Sequence, residues 1–305
     1  MFEELNRREW LKRTAAGVAG LAGLAGLARL AGAEEAASPE AKPKSAPIFS
    51  LYVMDTGLAG RDVPTLEAKV ELAGKLGFAG IDFGINHRQL PRMLELLDKN
   101  GLELSAVYVS PLLEDSFDRG LEGSIKLMKG RKTRVELAIR SKKFKPSDPQ
   151  GDKPGTEYIQ RVSDLCGDSG PVVSIYPHTW SWTERVEDGV RLAKAVNRDN
   201  VGTNFNLVHW KWVKNTRPLE ELLKEALAYL KTVTINGLEE KPNERDRIVP
   251  LDQGNYDVEG FLALLKKVGY RGGVGLQGYG VPGSSAEHLK RSMDKWKAIM
   301  KKLEA

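Results

Sequence analysis

Residues 171–208 read PVVSIYPHTWSWTERVEDGVRLAKAVNRDNVGTNFNLV, and this stretch decides the fold. It holds two apolar runs, 171–177 and 201–208, on either side of RVEDGVRLAKAVN, whose apolar residues recur at helical spacing. Short apolar runs bounded by turn residues predict buried strands. A strand, a helix and a second strand predict a βαβ unit within a parallel sheet.

The same alternation runs through the chain from residue 47 onward. The eight strand candidates are 48–53, 79–84, 103–109, 135–141, 171–177, 201–208, 232–237 and 273–279. The segments between them place their apolar residues on one face, and segment 64–77 also ends at a glycine, Gly77. Eight strands that each precede a helix predict an α/β fold, a (β/α)8 TIM barrel, as a single domain over residues 47–305.

An open, doubly wound parallel sheet is the alternative architecture. It would normally carry a glycine-rich nucleotide-binding fingerprint after its first strand. The sequence at that place is MDTGLAGRD (54–62), which lacks the required spacing. The barrel is therefore the predicted fold.

The N-terminal residues 1–33 predict an export signal peptide. Arg7 and Arg8 precede a weakly apolar Ala/Gly/Leu run that ends in an Ala-Gly-Ala cleavage pattern at 31–33. The segment resembles a twin-arginine export signal, which implies a periplasmic or extracellular protein. A retained membrane anchor is the alternative, but the glycines of the run suit a membrane span poorly, so we expect no stable insertion after cleavage. Residues 34–46 predict a disordered linker.

Composition limits the possible partners. The chain has 305 residues and a net charge of +5, spread along the sequence without a basic stripe that alternates with aromatic residues. We therefore expect no nucleic-acid partner. Cys166 is the only cysteine, so an intramolecular disulfide is impossible. The oligomeric state cannot be inferred from the sequence.

Chemistry in a TIM barrel takes place at the carboxyl ends of the strands, so the residues there are the site candidates. His178 and His209 follow consecutive strands and are the predicted catalytic acid and base, with a structural histidine as the alternative. The predicted substrate-binding residues are Asp82, Arg140, Tyr176, Trp180, Asn206, Asn236, Asp252 and Gln277.

Each of these substrate-binding predictions has a structural alternative. The amides of Asn206, Asn236 and Gln277 could bind vicinal hydroxyls or one another. Asp82 and Arg140 could bind substrate or form an ion pair.

The aromatic and loop residues carry alternatives of the same kind. Trp180, Trp182, Trp210 and Trp212 suit a sugar platform or packing at the rim. Asp252 lies in the long loop 238–257 and is predicted to be an acid near the pocket, with a helix-capping or loop-bracing role as the alternative. The charged first half of that loop predicts a lid or a solvated excursion.

Four segments resemble the xylose isomerase-like TIM barrel family of sugar isomerases, epimerases, dehydratase-like enzymes and endonucleases. They are GKLGFAGIDF (74–83) and residues 172–196, 201–210 and 250–280. The resemblance implies a divalent metal held at four strand ends. At these positions the chain has Tyr176, Asn206, Thr234 and Gln277 in place of the usual Glu, Asp, His and Glu. Amide and phenol groups lack the charge that offsets dehydration of a dication, so a tightly bound metal, although possible, is disfavoured and no cofactor is expected.

The predicted function is that of a sugar isomerase or epimerase acting on a small carbohydrate or keto-sugar by histidine-mediated proton transfer. A keto-sugar lyase or hydratase fits the same residues. The alternative from another class is a catalytically silent carbohydrate-binding barrel, which the loss of the metal ligands favours. An endonuclease is a weaker interpretation, because it would need metal-bound carboxylates and a basic cleft.

Overall fold

The computed structural model describes residues 47–168 and 170–304. The predicted export signal and linker, residues 1–46, lie outside the described residues. Among the residues described, no helix is both long and apolar enough to cross a membrane.

Eight parallel strands of the described chain close into a barrel, which confirms the predicted (β/α)8 fold. They are β1 (Leu51–Met54), β2 (Gly80–Gly84), β3 (Glu103–Val109), β4 (Arg134–Leu137), β5 (Val172–Ile175), β6 (Val201–Asn206), β7 (Leu230–Ile235) and β10 (Val274–Leu276). Strand β1 pairs with both β2 and β10, and β10 pairs with β7, so the ring has no open edge. The open doubly wound sheet is thereby excluded.

Helices cover the outside of the barrel. Within residues 47–168 and 170–304 the α-helices are α1 (Leu66–Leu76), α2 (Leu90–Lys99), α3 (Arg119–Leu127), α4 (Asp152–Cys166), α5 (Val186–Val196), α6 (Leu207–Trp212), α7 (Leu219–Ala226), α8 (Val258–Val268) and α9 (Ser285–Glu304). Their apolar faces pack on the strands in one continuous core. The ends of α1 show why the helix stops where it does: Thr65 caps its start, and Gly77 takes a left-handed conformation at its end.

Two of the differences from the sequence-based expectation bear on the site. Strand β6 ends at Asn206, two residues earlier than predicted, because the Asn206 side chain accepts the His209 backbone N–H and thereby starts α6. The long loop after β7 contains a two-stranded antiparallel hairpin formed by β8 (Gly237–Glu239) and β9 (Arg247–Val249). Both regions lie next to the carboxyl ends of the barrel strands, where they shape the site.

Candidate active site

A cavity of about 650 Å³ opens at the carboxyl ends of the barrel strands. We call it the central cavity. Its lining residues are Met54, Asp55, Thr56, Ala59, Lys69, Asp82, Gly84, Tyr108, Tyr176, His178, Trp180, His209, Trp212, Arg245, Gln277, Tyr279 and Gly280. Its position is the one at which TIM barrels carry their chemistry.

The two predicted catalytic histidines meet in this cavity. The rings of His178 and His209 lie 4.0 Å apart, centroid to centroid, and are inclined by 42°. His178 follows β5, and His209 lies in the first turn of α6, directly after the neighbouring strand β6. Because β5 and β6 are paired in parallel, their ends bring the two rings together.

The backbone of Thr179 assigns opposite tautomers to the two neutral rings. His178 Nδ1 lies 2.9 Å from the Thr179 carbonyl oxygen, which only accepts, so Nδ1 carries the proton and Nε2 has the free lone pair. The Thr179 N–H donates to His209 Nδ1 over 3.4 Å, and the Thr179 Oγ1 lies 3.1 Å from the same nitrogen. His209 therefore carries its proton on Nε2.

The His209 Nε2–H group is buried and has no partner within the described part of the chain. The His209 residue is only 2% exposed, yet it lines the central cavity. A buried donor without an acceptor costs free energy on the order of 1–3 kcal/mol. A ligand oxygen in the cavity would remove that cost.

Both rings are held in the neutral form. Burial disfavours the charged imidazolium and is the main reason why the pKa of His178 lies below its ordinary value. Burial also holds the pKa of His209 well below its ordinary value, and the nearby His178 and Arg245 lower that pKa further. Near pH 7 the cavity therefore presents one imidazole acceptor and one imidazole donor side by side.

A phenol and two amides form a hydrogen-bonded network at the floor of the cavity. Asn206 Nδ2 donates to the Tyr176 hydroxyl and, over 3.1 Å, to Gln277 Oε1. Burial raises the pKa of Tyr176 well above its ordinary value, so the phenol stays protonated. The structure thus brings together Tyr176, Asn206 and Gln277, and Gln277 and Tyr176 line the cavity.

The third predicted amide, Asn236, does not take part in this network. Its side chain is buried, donates to the Gly237 carbonyl over 2.7 Å and does not line the central cavity. The predicted contact of Asn236 with substrate is therefore corrected. The physical reason is the turn into β8, which draws the amide toward the backbone.

The residues at the four strand ends where the family resemblance implies metal ligands do not suit a hard divalent cation. Asn206 uses its amide oxygen as the helix cap and turns its NH₂ group, which cannot ligate a metal, toward Tyr176 and Gln277. Thr234 accepts from Asn204 over 3.3 Å. The described residues also contain no cluster of three or more His, Cys, Asp or Glu side chains with ligand geometry. This donor set would offer a dication little negative charge.

Asp82 forms an ion pair, but its partner is not the predicted Arg140. Asp82 Oδ1 lies 3.3 Å from Arg134 Nη2, and Arg134 Nε lies 3.5 Å from Glu136. All three side chains are buried within the barrel. Burial and the Asp82 carboxylate raise the pKa of Glu136 to about 7, so one guanidinium stabilises two carboxyl groups of which one readily holds a proton.

Arg140 lies outside the cavity, which corrects its predicted role. Strand β4 already ends at Leu137, and the exposed Arg140 side chain donates to the Ser110 carbonyl over 3.1 Å. The inward-facing positions of β4 are held by Arg134 and Glu136 instead, because side chains alternate along a strand.

Asp252 is also absent from the cavity lining. It lies in the loop that follows the hairpin, where its carboxylate accepts a hydrogen bond from Arg291 of α9 over 2.8 Å. This position agrees with the alternative prediction, in which Asp252 stabilises the loop.

The four predicted tryptophans separate into two pairs. Trp180, which is 72% exposed, and Trp212 line the central cavity. Trp182 is 1% exposed and donates from Nε1 to the Asp148 carbonyl, so it belongs to the core. Trp210 packs against Phe205. The aromatic wall therefore consists of Trp180 and Trp212.

Three groups at the cavity were missed by sequence reasoning as site residues. Arg245, in the turn between β8 and β9, stacks on Trp212 with its Cζ 3.3 Å from the ring centroid. Lys69 pairs with Asp55 over 2.5 Å, and Tyr279 stands at the rim. Arg245 belongs to the segment predicted as a lid or a solvated excursion, and nothing in the local sequence distinguishes it from the other charged residues there.

Comparison with known proteins is consistent with this geometry. The sequence profile of a family described as "Xylose isomerase-like TIM barrel" matches residues 70–299. No curated protein matches the chain in sequence.

Solved structures with the same fold include the IOLI protein with a bound zinc atom. It is 18% identical, with a TM-score of 0.67 over 83% of this chain and 99% of that chain. The D-allulose 3-epimerase from Methylomonas sp. is 15% identical, with a TM-score of 0.68 over 83% and 99% of the two chains. A family 2 AP endonuclease from Brucella melitensis is 18% identical, with a TM-score of 0.60 over 80% and 97%. At these identities the structures share the fold, and they assign no activity to this chain.

Proposed function

Because the chain belongs to the xylose isomerase-like TIM barrel family, we propose that it is an enzyme acting on a small carbohydrate or keto-sugar by proton transfer. Solved structures with the same fold include sugar epimerases, among them D-allulose 3-epimerase in complex with D-allulose. The observation that carries the proposal is the contact between His178 and His209 with opposite tautomers.

His178 is the proposed general base. Its Nε2 lone pair takes the proton from the carbon next to the substrate carbonyl, and the electrons of that C–H bond form an enediolate. His209 donates a hydrogen bond from Nε2–H to the carbonyl oxygen as negative charge develops there. Return of the proton from His178 to the neighbouring carbon, with transfer of the hydroxyl proton between the two enediolate oxygens, gives an isomer. Loss of the proton from His178 to solvent and delivery of a solvent proton to the opposite face of the same carbon gives an epimer.

The neutral donor His209 replaces a cation in this proposal. A buried, pre-oriented N–H group stabilises an oxyanion without any reorganisation during the reaction. Since the usual ligand positions offer amide, phenol and hydroxyl groups, we propose that the reaction proceeds without a tightly bound metal. Gln277 then binds a substrate hydroxyl, and Trp180 and Trp212 cover the C–H face of the sugar.

Two other functions share the same site. Loss of a β-hydroxyl from the enediolate would make the protein a keto-sugar lyase or, in reverse, a hydratase. The substituted ligand positions favour the other alternative, a barrel that binds carbohydrate without catalysis.

Solvent-exchange measurements test the proposal. The protein is incubated with a panel of ketoses in deuterated buffer, and the α-carbons are monitored by NMR. Deuterium incorporation that disappears in His178→Ala supports proton transfer. Binding of a ketose without incorporation of deuterium identifies the silent binding barrel instead.

The site of action is a separate proposal. Arg7 and Arg8 lie outside the described residues, and their resemblance to a twin-arginine signal supports export to the periplasm or beyond.

A further inference from the structure

We propose that the ligand of the central cavity is a sugar acid whose carboxylate binds the guanidinium of Arg245. The inference rests on the proposed function for the reacting carbon of the same molecule, and it names the substrate class. Four features of the structure carry it: an unpaired cation, the charge balance of the cavity, a filled anion site nearby, and the unpartnered His209 donor.

Arg245 is held at the cavity by two aromatic rings. Its Cζ lies 3.3 Å from the centroid of Trp212 and 4.5 Å from that of Trp180. No carboxylate of the described residues pairs with it, although the neighbouring Lys241 and Arg247 are paired with Glu244 and Glu239. Stacking occupies the faces of the guanidinium and leaves its N–H edge for a planar two-oxygen group.

The other charges of the cavity are already compensated. Lys69 pairs with Asp55. The buried Asp82 pairs with Arg134. Both histidines are neutral near pH 7, because burial lowers their pKa values. Among the described residues that line the cavity, Arg245 is therefore the positive charge left for an anion.

Among the described residues, the helix N-terminus at which TIM barrels usually bind phosphate is not free for a ligand. TIM barrels often bind phosphate at a helix N-terminus near the last strands. Here the carboxylate of Asp62 lies at the start of α9. It accepts hydrogen bonds from the backbone N–H groups of Ser285 and Ala286, each over 2.9 Å, and from Ser284 Oγ over 2.8 Å. A carboxylate of the protein thus fills the place that a substrate phosphate would take. The remaining anion site, the edge of Arg245, matches a carboxylate.

The His209 donor fixes the other end of the ligand. The ring of His209 lies 5.3 Å from that of Trp212, on which Arg245 stacks. The positive charge of Arg245 is also close enough to lower the pKa of both histidines. A ligand with its carboxylate at Arg245 can therefore reach His209 Nε2 with a carbonyl oxygen a few bonds away.

Matched pairs of sugars test the inference. D-fructuronate and D-fructose differ by a carboxylate in place of a hydroxymethyl group, and so do D-tagaturonate and D-tagatose. Titration calorimetry on the full chain measures the affinity of each. We expect the wild type to bind at least one acid roughly 10-fold or more tighter than its neutral partner, since a charge-assisted pair contributes that much. Arg245→Gln should abolish the preference.

Arg247→Gln is the matched control. It removes the same charge from the same hairpin, but from a residue that already has a carboxylate partner. We expect this variant to keep the preference for the acid. Equal affinity for acid and neutral sugar in both pairs, or a preference that survives in Arg245→Gln, would overturn the inference.

Deuterium exchange separates this inference from the proposed function. Exchange into the neutral ketoses without any preference for the acids would leave the proposed function standing and overturn the sugar-acid inference. An Arg245-dependent preference for an acid without exchange would support the ligand class and count against catalysis.

Discussion

His178 Nε2 offers a lone pair and His209 Nε2 offers a proton, and the two rings lie 4.0 Å apart. One residue, Thr179, produces this difference because its carbonyl binds one ring and its N–H binds the other. A pair of identical side chains is thereby given two chemical roles near neutral pH.

Removal of either ring should abolish turnover while the fold survives. His178→Ala removes the proposed base and His209→Ala the proposed oxyanion donor, so each should reduce the rate of α-proton exchange by roughly 10²-fold or more. His87→Ala is the control, because His87 lies outside the cavity and binds Ser124 and Asp118. Wild-type rates in both cavity variants would mean that the pair is structural.

The pH profile should be flat around neutrality. His178 acts only when Nε2 is unprotonated, and burial lowers its pKa below the ordinary value of about 6.5. Activity should therefore be constant from about pH 7 to 8 and fall only as the pH drops through the lowered pKa, below about 6.5. Initial exchange rates between pH 5 and 8 measure this limb. A midpoint above 7 would contradict the assignment of a neutral His178 as base.

Substitution should create a divalent-metal site in the central cavity. Asn206 already contacts both Tyr176 and Gln277, so Tyr176→Glu, Asn206→Asp and Gln277→Glu together would place three carboxylates close to one another. We expect calorimetry to show saturable Mn²⁺ binding by this triple variant and none by the wild type. Asn206→Asp alone is the control, since it keeps the helix cap but supplies only one charge. Tight Mn²⁺ binding by the wild type would contradict the metal-free proposal.

The buried guanidinium should be indispensable for stability. Arg134→Met leaves Asp82 and Glu136 buried without a cation and should lower the free energy of unfolding by about 3–5 kcal/mol at neutral pH. Arg131→Met breaks an exposed pair with Asp98 and should cost about 1 kcal/mol or less.

The loss in Arg134→Met should also depend on pH. Without the cation, the folded-state pKa values of the two buried carboxyls rise further above their unfolded values. The folded protein then holds protons that the unfolded chain releases, so the variant should recover stability as the pH falls from about 8 to 5. Urea denaturation of both variants at these pH values measures the effect. A pH-independent difference would contradict the raised pKa values of Asp82 and Glu136.

Export should depend on the paired arginines. Replacement of both Arg7 and Arg8 by Lys keeps the charge but removes the twin-arginine pattern. We expect the precursor to stay in the cytoplasm, as judged by fractionation and immunoblotting. Normal export of the double variant would exclude this route.

The sequence by itself determined the barrel and the meeting of the two histidines. The sequence has eight apolar runs, each followed by a helical segment. This pattern predicts parallel strands whose faces are covered by helices, as observed. The family resemblance pointed to the same fold. His178 and His209 follow consecutive strands, and consecutive parallel strands end side by side. These conclusions depend on local periodicity and chain order, which a sequence displays directly.

Only the tertiary structure decided which partners the side chains find. Asp82 pairs with Arg134 and not with Arg140, because the length of β4 and its register across the barrel determine which arginine points inward. Arg245 lies at the cavity because the turn between β8 and β9 places it against Trp212. The tautomers of the histidines depend on how Thr179 is placed between them. Each of these facts rests on contacts between residues far apart in the chain, and local composition carries no record of such contacts.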